Sequence, residues 1–288
     1  MNRDRLSLMT FHIAIDLLLG RMQVKDILEL AQKEGIPYVD LMNVKRKALP
    51  EYLSAMREVG TKVSCYIASV SLFSSEEELR ANLQQELKMA RELSAQRMMI
   101  VPYAGTGNLR QAKRMGREAV LETMIKGFRI AVQEGAEFGM PVCFELTPHD
   151  DLCLSGAEDC LRLLRAVDGL GLVFDTANML SHGDDPVSAY EALKEYIVHV
   201  HLKDVALKDM QRGGVYLERC KDGRVMQCVV WGKGVIPIDE LCQRLISDGY
   251  SGLFAIEYTH PDSFLSGPNE HHAHLNKFLE NCRKRENA

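Results

Sequence analysis

The chain has 288 residues, 46% of them hydrophobic, which is enough to bury a full core and suits one large α/β domain over 1–288 better than two small ones. A formal net charge of −5 offers no general attraction for nucleic acid or an anionic membrane surface. No apolar stretch reaches the ~20 residues needed to cross a bilayer, and Met1-Asn2-Arg3-Asp4-Arg5 leads into a strand with no apolar signal segment. The eight cysteines include no Cys-x-x-Cys pair, and several sit inside apolar runs as small hydrophobes would. The expectation is a cytoplasmic protein with reduced thiols.

Strand-like and helix-like patterns alternate from one end to the other. Residues 6–11 read as a strand, and 24–35 as a helix with Ile27, Leu28, Leu30 and Ala31 at helical spacing. Tyr38–Met42 is a second strand, Leu49–Val59 a helix stopped by Gly60, and Lys62–Ala68 a third strand. Ser75 opens the next helix with Glu78 three residues on, a capping box, and Leu79, Leu83, Leu87 and Ala90 form its apolar face. A fourth strand spans 97–101, and 116–139 contains a long helix. The fifth strand ends at Glu145, a helix covers 157–167, and the sixth strand ends at Asp175. Asp185-Pro186 pairs an N-cap with proline at the first helical position. The seventh strand ends at His201, 237–248 is helical, the eighth strand ends at Glu257, and a last helix begins near Glu270.

Eight such units with no linker or composition break imply a closed (β/α)₈ barrel, the TIM-barrel architecture. A doubly wound open sheet would want a Gly-x-Gly-x-x-Gly turn after the first strand, which is missing. The stretch from His201 to Pro237 is too long for an ordinary βα loop. It carries turn signals at Arg212-Gly213-Gly214 and Lys221-Asp222-Gly223, and a loop of that kind on the C-terminal face usually covers a site.

Four of the apolar strands end on a residue able to bind a metal: Glu145, Asp175, His201 and Glu257. A charge at the end of a buried strand is costly without a partner. In a barrel those ends face the catalytic mouth, and consecutive strands bring them to one point. Three hard oxygen donors and one imidazole suit one divalent ion, Mn²⁺ first, with Mg²⁺, Co²⁺ and Zn²⁺ as substitutes.

Other residues carry weaker signals. His199, two before His201, shares its inward face and reads as a hydrogen-bonded core histidine, or as support behind the ligands. His149 and His182 read as loop histidines at the surface, with substrate contact as the alternative. His271, His272 and His274 read as solvated. Gly105-Thr106-Gly107 reads as an ordinary turn, with a backbone approach to a sugar hydroxyl or phosphate as the alternative. Trp231, before Gly232-Lys233-Gly234, is placed either to wall the carbon face of a sugar or simply to pack.

Phe144-Glu145, Phe174-Asp175-Thr176-Ala177-Asn178, Gly183-Asp184-Asp185-Pro186, His199-Val200-His201-Leu202-Lys203-Asp204, Gly232-Lys233-Gly234-Val235-Ile236 and Ile256-Glu257 stand in a telling order and spacing. In these motifs the chain resembles the xylose isomerase-like sugar phosphate isomerase/epimerase superfamily. The resemblance implies that Glu145, Asp175, His201 and Glu257 ligate the metal and that the two glutamates also serve as acid and base. The implied substrate is a small sugar or sugar phosphate, and dimers and tetramers are common among similar proteins. The chemistry is consistent: a divalent ion holding a ketone oxygen and the neighbouring hydroxyl acidifies the carbon-bound proton and stabilises an enediolate. One glutamate removes that proton and a second, on the opposite face, returns one with inversion, which favours epimerisation.

Two departures matter. Ketose 3-epimerases of the superfamily usually carry a histidine where Asn178 stands and an arginine a few residues after the metal histidine. The segment Leu202–Leu207 has none. The His-Leu-Lys-Asp form looks more like the branch that includes inosose dehydratases, a lyase alternative, and in that branch Lys203 and Asp204 either contact substrate or form a rim ion pair. Asn178 is a further candidate substrate contact. Endonuclease IV enzymes share the barrel but need further zinc-binding histidines, and no histidine occurs between His12 and His149. A sugar-binding barrel without turnover is disfavoured by the intact ligand set.

Overall fold

The computed structural model describes residues 3–11, 22–42, 44–103, 106–149, 152–209 and 218–257. The last helix expected from Glu270, with His271, His272 and His274, lies outside these residues, as do Cys282, Gly105 and Arg212-Gly213-Gly214. Eight parallel strands close into a barrel: β1 (Leu6–Met9), β2 (Tyr38–Met42), β3 (Lys62–Ala68), β4 (Met98–Ile100), β5 (Val142–Glu145), β6 (Gly171–Asp175), β7 (Ile197–Leu202) and β11 (Phe254–Ile256). β1 pairs with both β2 and β11, so the ring has no free edge.

Helices α1 (Val24–Lys33), α2 (Leu49–Val59), α3 (Glu76–Glu92), α5 (Arg117–Glu137), α6 (Ala157–Ala166), α7 (Pro186–Leu193) and α8 (Ile238–Ser247) alternate with the strands. Their starts follow from local chemistry. Ser75 Oγ accepts from the Glu78 N–H at 3.3 Å while Glu78 accepts from the Ser75 N–H, closing the capping box. Asp185 accepts from the Ser188 N–H at 2.8 Å, ahead of Pro186. One further helix, α4 (Thr106–Arg114), stands where an ordinary turn was expected.

The region after β7 also differs from expectation. Rather than an irregular loop it contains a three-stranded antiparallel sheet, β8 (Val205–Asp209), β10 (Arg224–Cys228) and β9 (Glu218–Arg219). Lys221-Asp222-Gly223 makes the β9–β10 turn, as its composition suggests, with Gly223 at φ 88°.

The main apolar core lies between strands and helices. A smaller one, Met9, Cys65, Ile67, Met99, Cys143 and Val173, fills the barrel. Ser7, Asp40, Ser64 and His199 are also fully buried.

Among the described residues no helix is long and apolar enough to cross a membrane. The seven described cysteines are all free thiols. We therefore expect all eight cysteines of the chain to react with a thiol reagent after unfolding without reductant. Two stably bridged pairs would contradict that expectation.

Candidate metal centre

Glu145 is the last residue of β5, Asp175 the last of β6, His201 the penultimate residue of β7, and Glu257 follows β11 directly. Register makes them converge. His201 is the lateral neighbour of Asp175 on one side and of Ala255 on the other, and the Glu257 N–H donates to the Leu202 carbonyl at 3.0 Å. One donor atom from each of the four lies within 4.8 Å of the others. His201 Nδ1 is 2.6 Å from Glu145 Oε1 and 3.3 Å from Glu257 Oε2.

Asp175 Oδ1 accepts the Ala177 and Asn178 N–H groups at 2.7 and 2.8 Å, which fixes the carboxylate and leaves Oδ2 without a hydrogen bond. Glu257 Oε2 is also buried without one. Buried oxygens without a hydrogen bond are costly, and two of them beside an imidazole are a donor set that a divalent cation takes once it displaces the protons there. The residues present therefore fit such an ion.

Lys203 reaches into the same space. Its Nζ lies 3.1 Å from Glu257 Oε1, 3.3 Å from Asp175 Oδ2 and 3.5 Å from Glu218 Oε1. Burial pushes the Asp175 carboxyl up to about 8, Lys203 opposing and Glu257 and Glu145 assisting. Burial acts on Glu257 in the same sense, yet Lys203 and His201 outweigh it and hold that carboxyl well below its ordinary range. Burial also disfavours the cationic forms of His201 and Lys203. Glu145 and Asp40 nevertheless raise the imidazole, and Asp175, Glu218 and Glu257 raise the ammonium, both well above their usual values.

The cluster opens into a cavity of about 630 Å³, within the usual size of small-molecule sites. Glu145, Asn178, Lys203, Glu218 and Glu257 line its polar side, Met9, Phe11, Met42, Ile67 and Val101 its apolar side, and Lys113, His149 and Arg219 complete the wall. Asn178 donates through Nδ2 to the Leu146 carbonyl at 2.9 Å, leaving Oδ1 buried and without a hydrogen bond.

Of the four expected substrate contacts, the structure brings Asn178 and Lys203 to the cavity but not Asp204 or Trp231. Asp204 is committed elsewhere: its carboxylate accepts from the N–H groups of Gly232, Gly234 and Ile236 at 2.7, 3.0 and 3.2 Å. Gly234 is required there, because a Cβ would lie 2.0 Å from Asp204 Oδ1 and 2.4 Å from the Val205 carbonyl oxygen. Trp231 is half-buried against the main core. His149, expected at the surface, lines the cavity with its ring edge-on to Tyr103, whereas His182 packs beside Gly156.

Asp40, Lys113, Glu218 and Arg219 were not singled out from sequence. Asp40 did leave a signal, a carboxylate in the middle of a buried strand. His199 is fully buried and hydrogen-bonded, as expected of it. Its Nε2 is 2.7 Å from Asp40 Oδ2 and its Nδ1 3.3 Å from the Arg97 guanidinium. Asp40, His199 and His201 also form a donor cluster by proximity, but the Asp40 and His199 side chains already have partners and none of their atoms is orphaned. That separates them from the ligands above.

The barrel with a carboxylate–imidazole cluster at the C-terminal ends of its strands defines a TIM-barrel protein with an enzyme-like mouth. The xylose isomerase-like TIM barrel family model matches residues 22–282, and the chain belongs to that family. Inosose dehydratase 2 of Bacillus cereus is 31% identical over 117 residues, 38% of this chain and 37% of that protein. The matched stretch thus spans little more than a third of that relative. Among solved structures, the IolI protein with a bound zinc atom superimposes with TM-score 0.69 at 18% identity, covering 97% of this chain and 95% of that one. The 3-keto-D-glucoside 4-epimerase YcjR of E. coli gives TM-score 0.67 at 14% identity, covering 95% and 98%. At such identities these two likenesses speak for the fold alone.

Proposed function

We propose that this protein is a divalent-metal-dependent isomerase or epimerase of a ketose or sugar phosphate, moving a proton at the carbon beside a ketone. The observation that carries this reading is the placement of two glutamates around one imidazole nitrogen, Glu145 at 2.6 Å and Glu257 at 3.3 Å from His201 Nδ1. Glu145, Asp175, His201 and Glu257 would hold the ion, Mn²⁺ by their donor chemistry. When bound, it supplies Lewis acidity to a ketone oxygen and its neighbouring hydroxyl. Glu257, kept ionised by Lys203 and His201, takes the carbon-bound proton from one face. Glu145, from the other end of the four-strand arc, delivers to the opposite face a proton it has taken from solvent, and Glu257 releases its proton to solvent to restore the starting state. Lys203 stays cationic and neutralises charge that develops on substrate oxygen, and the Asn178 Oδ1 accepts from a substrate hydroxyl.

A second reading, inosose dehydratase-like elimination, draws support from the Bacillus cereus relative. It shares the first proton abstraction and then expels water. A metal-supplemented screen of ketoses, ketose phosphates and inososes in D₂O separates the two. Deuterium incorporation at constant composition supports the epimerase or isomerase, loss of water from the substrate supports the dehydratase, and neither outcome with any substrate contradicts both.

Metal binding should also depend on pH in a defined direction. The ion displaces protons from Asp175, whose carboxyl is pushed up to about 8, and from His201. Mn²⁺ affinity therefore rises as pH climbs from mildly acidic values through about 8, where the Asp175 carboxyl gives up its proton. Calorimetric titrations across that range check this, and a pH-independent affinity would contradict it.

A further inference from the structure

Below the ligand cluster, Asp40 sits in the middle of β2 with no exposed surface. Its Oδ1 accepts from the Ser7 hydroxyl at 2.6 Å and from the Ser64 hydroxyl. Its Oδ2 faces two imidazoles, His199 Nε2 at 2.7 Å and His201 Nε2 at 3.1 Å. The proton positions follow from Arg97. A guanidinium can only donate, so His199 Nδ1, 3.3 Å from Arg97, accepts. His199 therefore carries its hydrogen on Nε2 and donates it to Asp40 Oδ2. An oxygen that accepts from one imidazole is an acceptor for the other, so His201 Nε2 is also an N–H. The ring nitrogen left for a cation is Nδ1, the one directed at Glu145 and Glu257.

We infer that Asp40 is the positioning residue of the metal centre: by accepting from His201 Nε2 it fixes the ring's tautomer and rotation, so that Nδ1 is the ligating atom. This rests on the reading of the cluster as a cation site. Asp40 touches neither substrate nor ion and acts through His201, as the carboxylate partners of metal-binding histidines do. The arrangement spans the barrel floor, since Ser7, Asp40, Ser64 and His199 come from β1, β2, β3 and β7. His201 is thereby braced from the side opposite its ligand face.

Two measurements test this on the full chain. In wild-type protein labelled with ¹⁵N-histidine and loaded with Zn²⁺, two-bond ¹H–¹⁵N correlations should show His201 with a protonated Nε2 and a metal-shifted Nδ1. Zinc on Nε2 with a protonated Nδ1 would overturn the inference, whether or not any variant folds. In Asp40→Asn, the amide both donates and accepts and no longer dictates which ring nitrogen bears the proton. Mn²⁺ affinity should fall about 10–100-fold, the usual scale for a partner behind a ligand, with both His201 tautomers visible. A folded variant with wild-type Mn²⁺ affinity and a single unchanged tautomer would reduce Asp40 to a packing role. If wild-type protein bound neither Zn²⁺ nor Mn²⁺, the cation site itself would fail, a result distinct from either outcome above.

Discussion

Glu145→Gln and Glu257→Gln should each lower turnover about 10²-fold or more while the protein stays folded, the usual scale for a positioned general acid or base. Alanine would confuse lost metal with lost chemistry, because both glutamates stand among the proposed ligands. Glutamine keeps the shape and one donor oxygen and removes the group that carries the proton. The two variants should also differ from each other. Taking the proton is one glutamate's task and returning it the other's, so one variant should still exchange the substrate proton with D₂O without releasing the epimer. Metal content is measured alongside. A metal-loaded Gln variant with near-normal turnover would remove that glutamate from the mechanism.

His201→Ala should lower Mn²⁺ affinity by more than the 10–100-fold typical of changes behind a ligand, because it removes a ligating nitrogen outright. The change also leaves Asp40 Oδ2 without one of its two imidazole donors and takes an imidazole from between Glu145 and Glu257. Glu145 and Glu257 then face each other without the imidazole between them and repel more strongly, so a loss of thermal stability should accompany the loss of metal. Titration calorimetry and a melting curve on the same preparation check both effects. Unchanged metal affinity in the folded variant would contradict the ligand assignment.

The barrel was legible because strand and helix patterns alternate with so little interruption, and because punctuation such as Ser75–Glu78 and Asp185-Pro186 behaves as its local chemistry dictates. The four candidate ligands were legible for a related reason: a charged residue ending an apolar run must be explained by something at the strand's end. Asp40 obeys the same rule from inside a strand, yet only the folded barrel shows that β2 points it at two histidines of β7.

Lys113, Glu218 and Arg219 left no local signal. Lys113 lies in the last turn of a polar helix and the other two form β9 within the insertion after β7, and only tertiary placement turns them to the cavity. Asp204 shows the opposite case. Its place in a motif suggested substrate, whereas three backbone N–H groups of the Gly232–Ile236 turn occupy its carboxylate. Sequence adjacency to His201 says little about direction here. β7 ends at Leu202 and a new strand begins at Val205, so the chain reorients between them.

The metal site is tested most directly by anomalous diffraction at the manganese edge from crystals of the full chain grown with Mn²⁺. One strong peak per chain is expected, coordinated by Glu145, Asp175, His201 through Nδ1, and Glu257. No peak within that cluster, or a group of three metal peaks ligated by other residues, would contradict it.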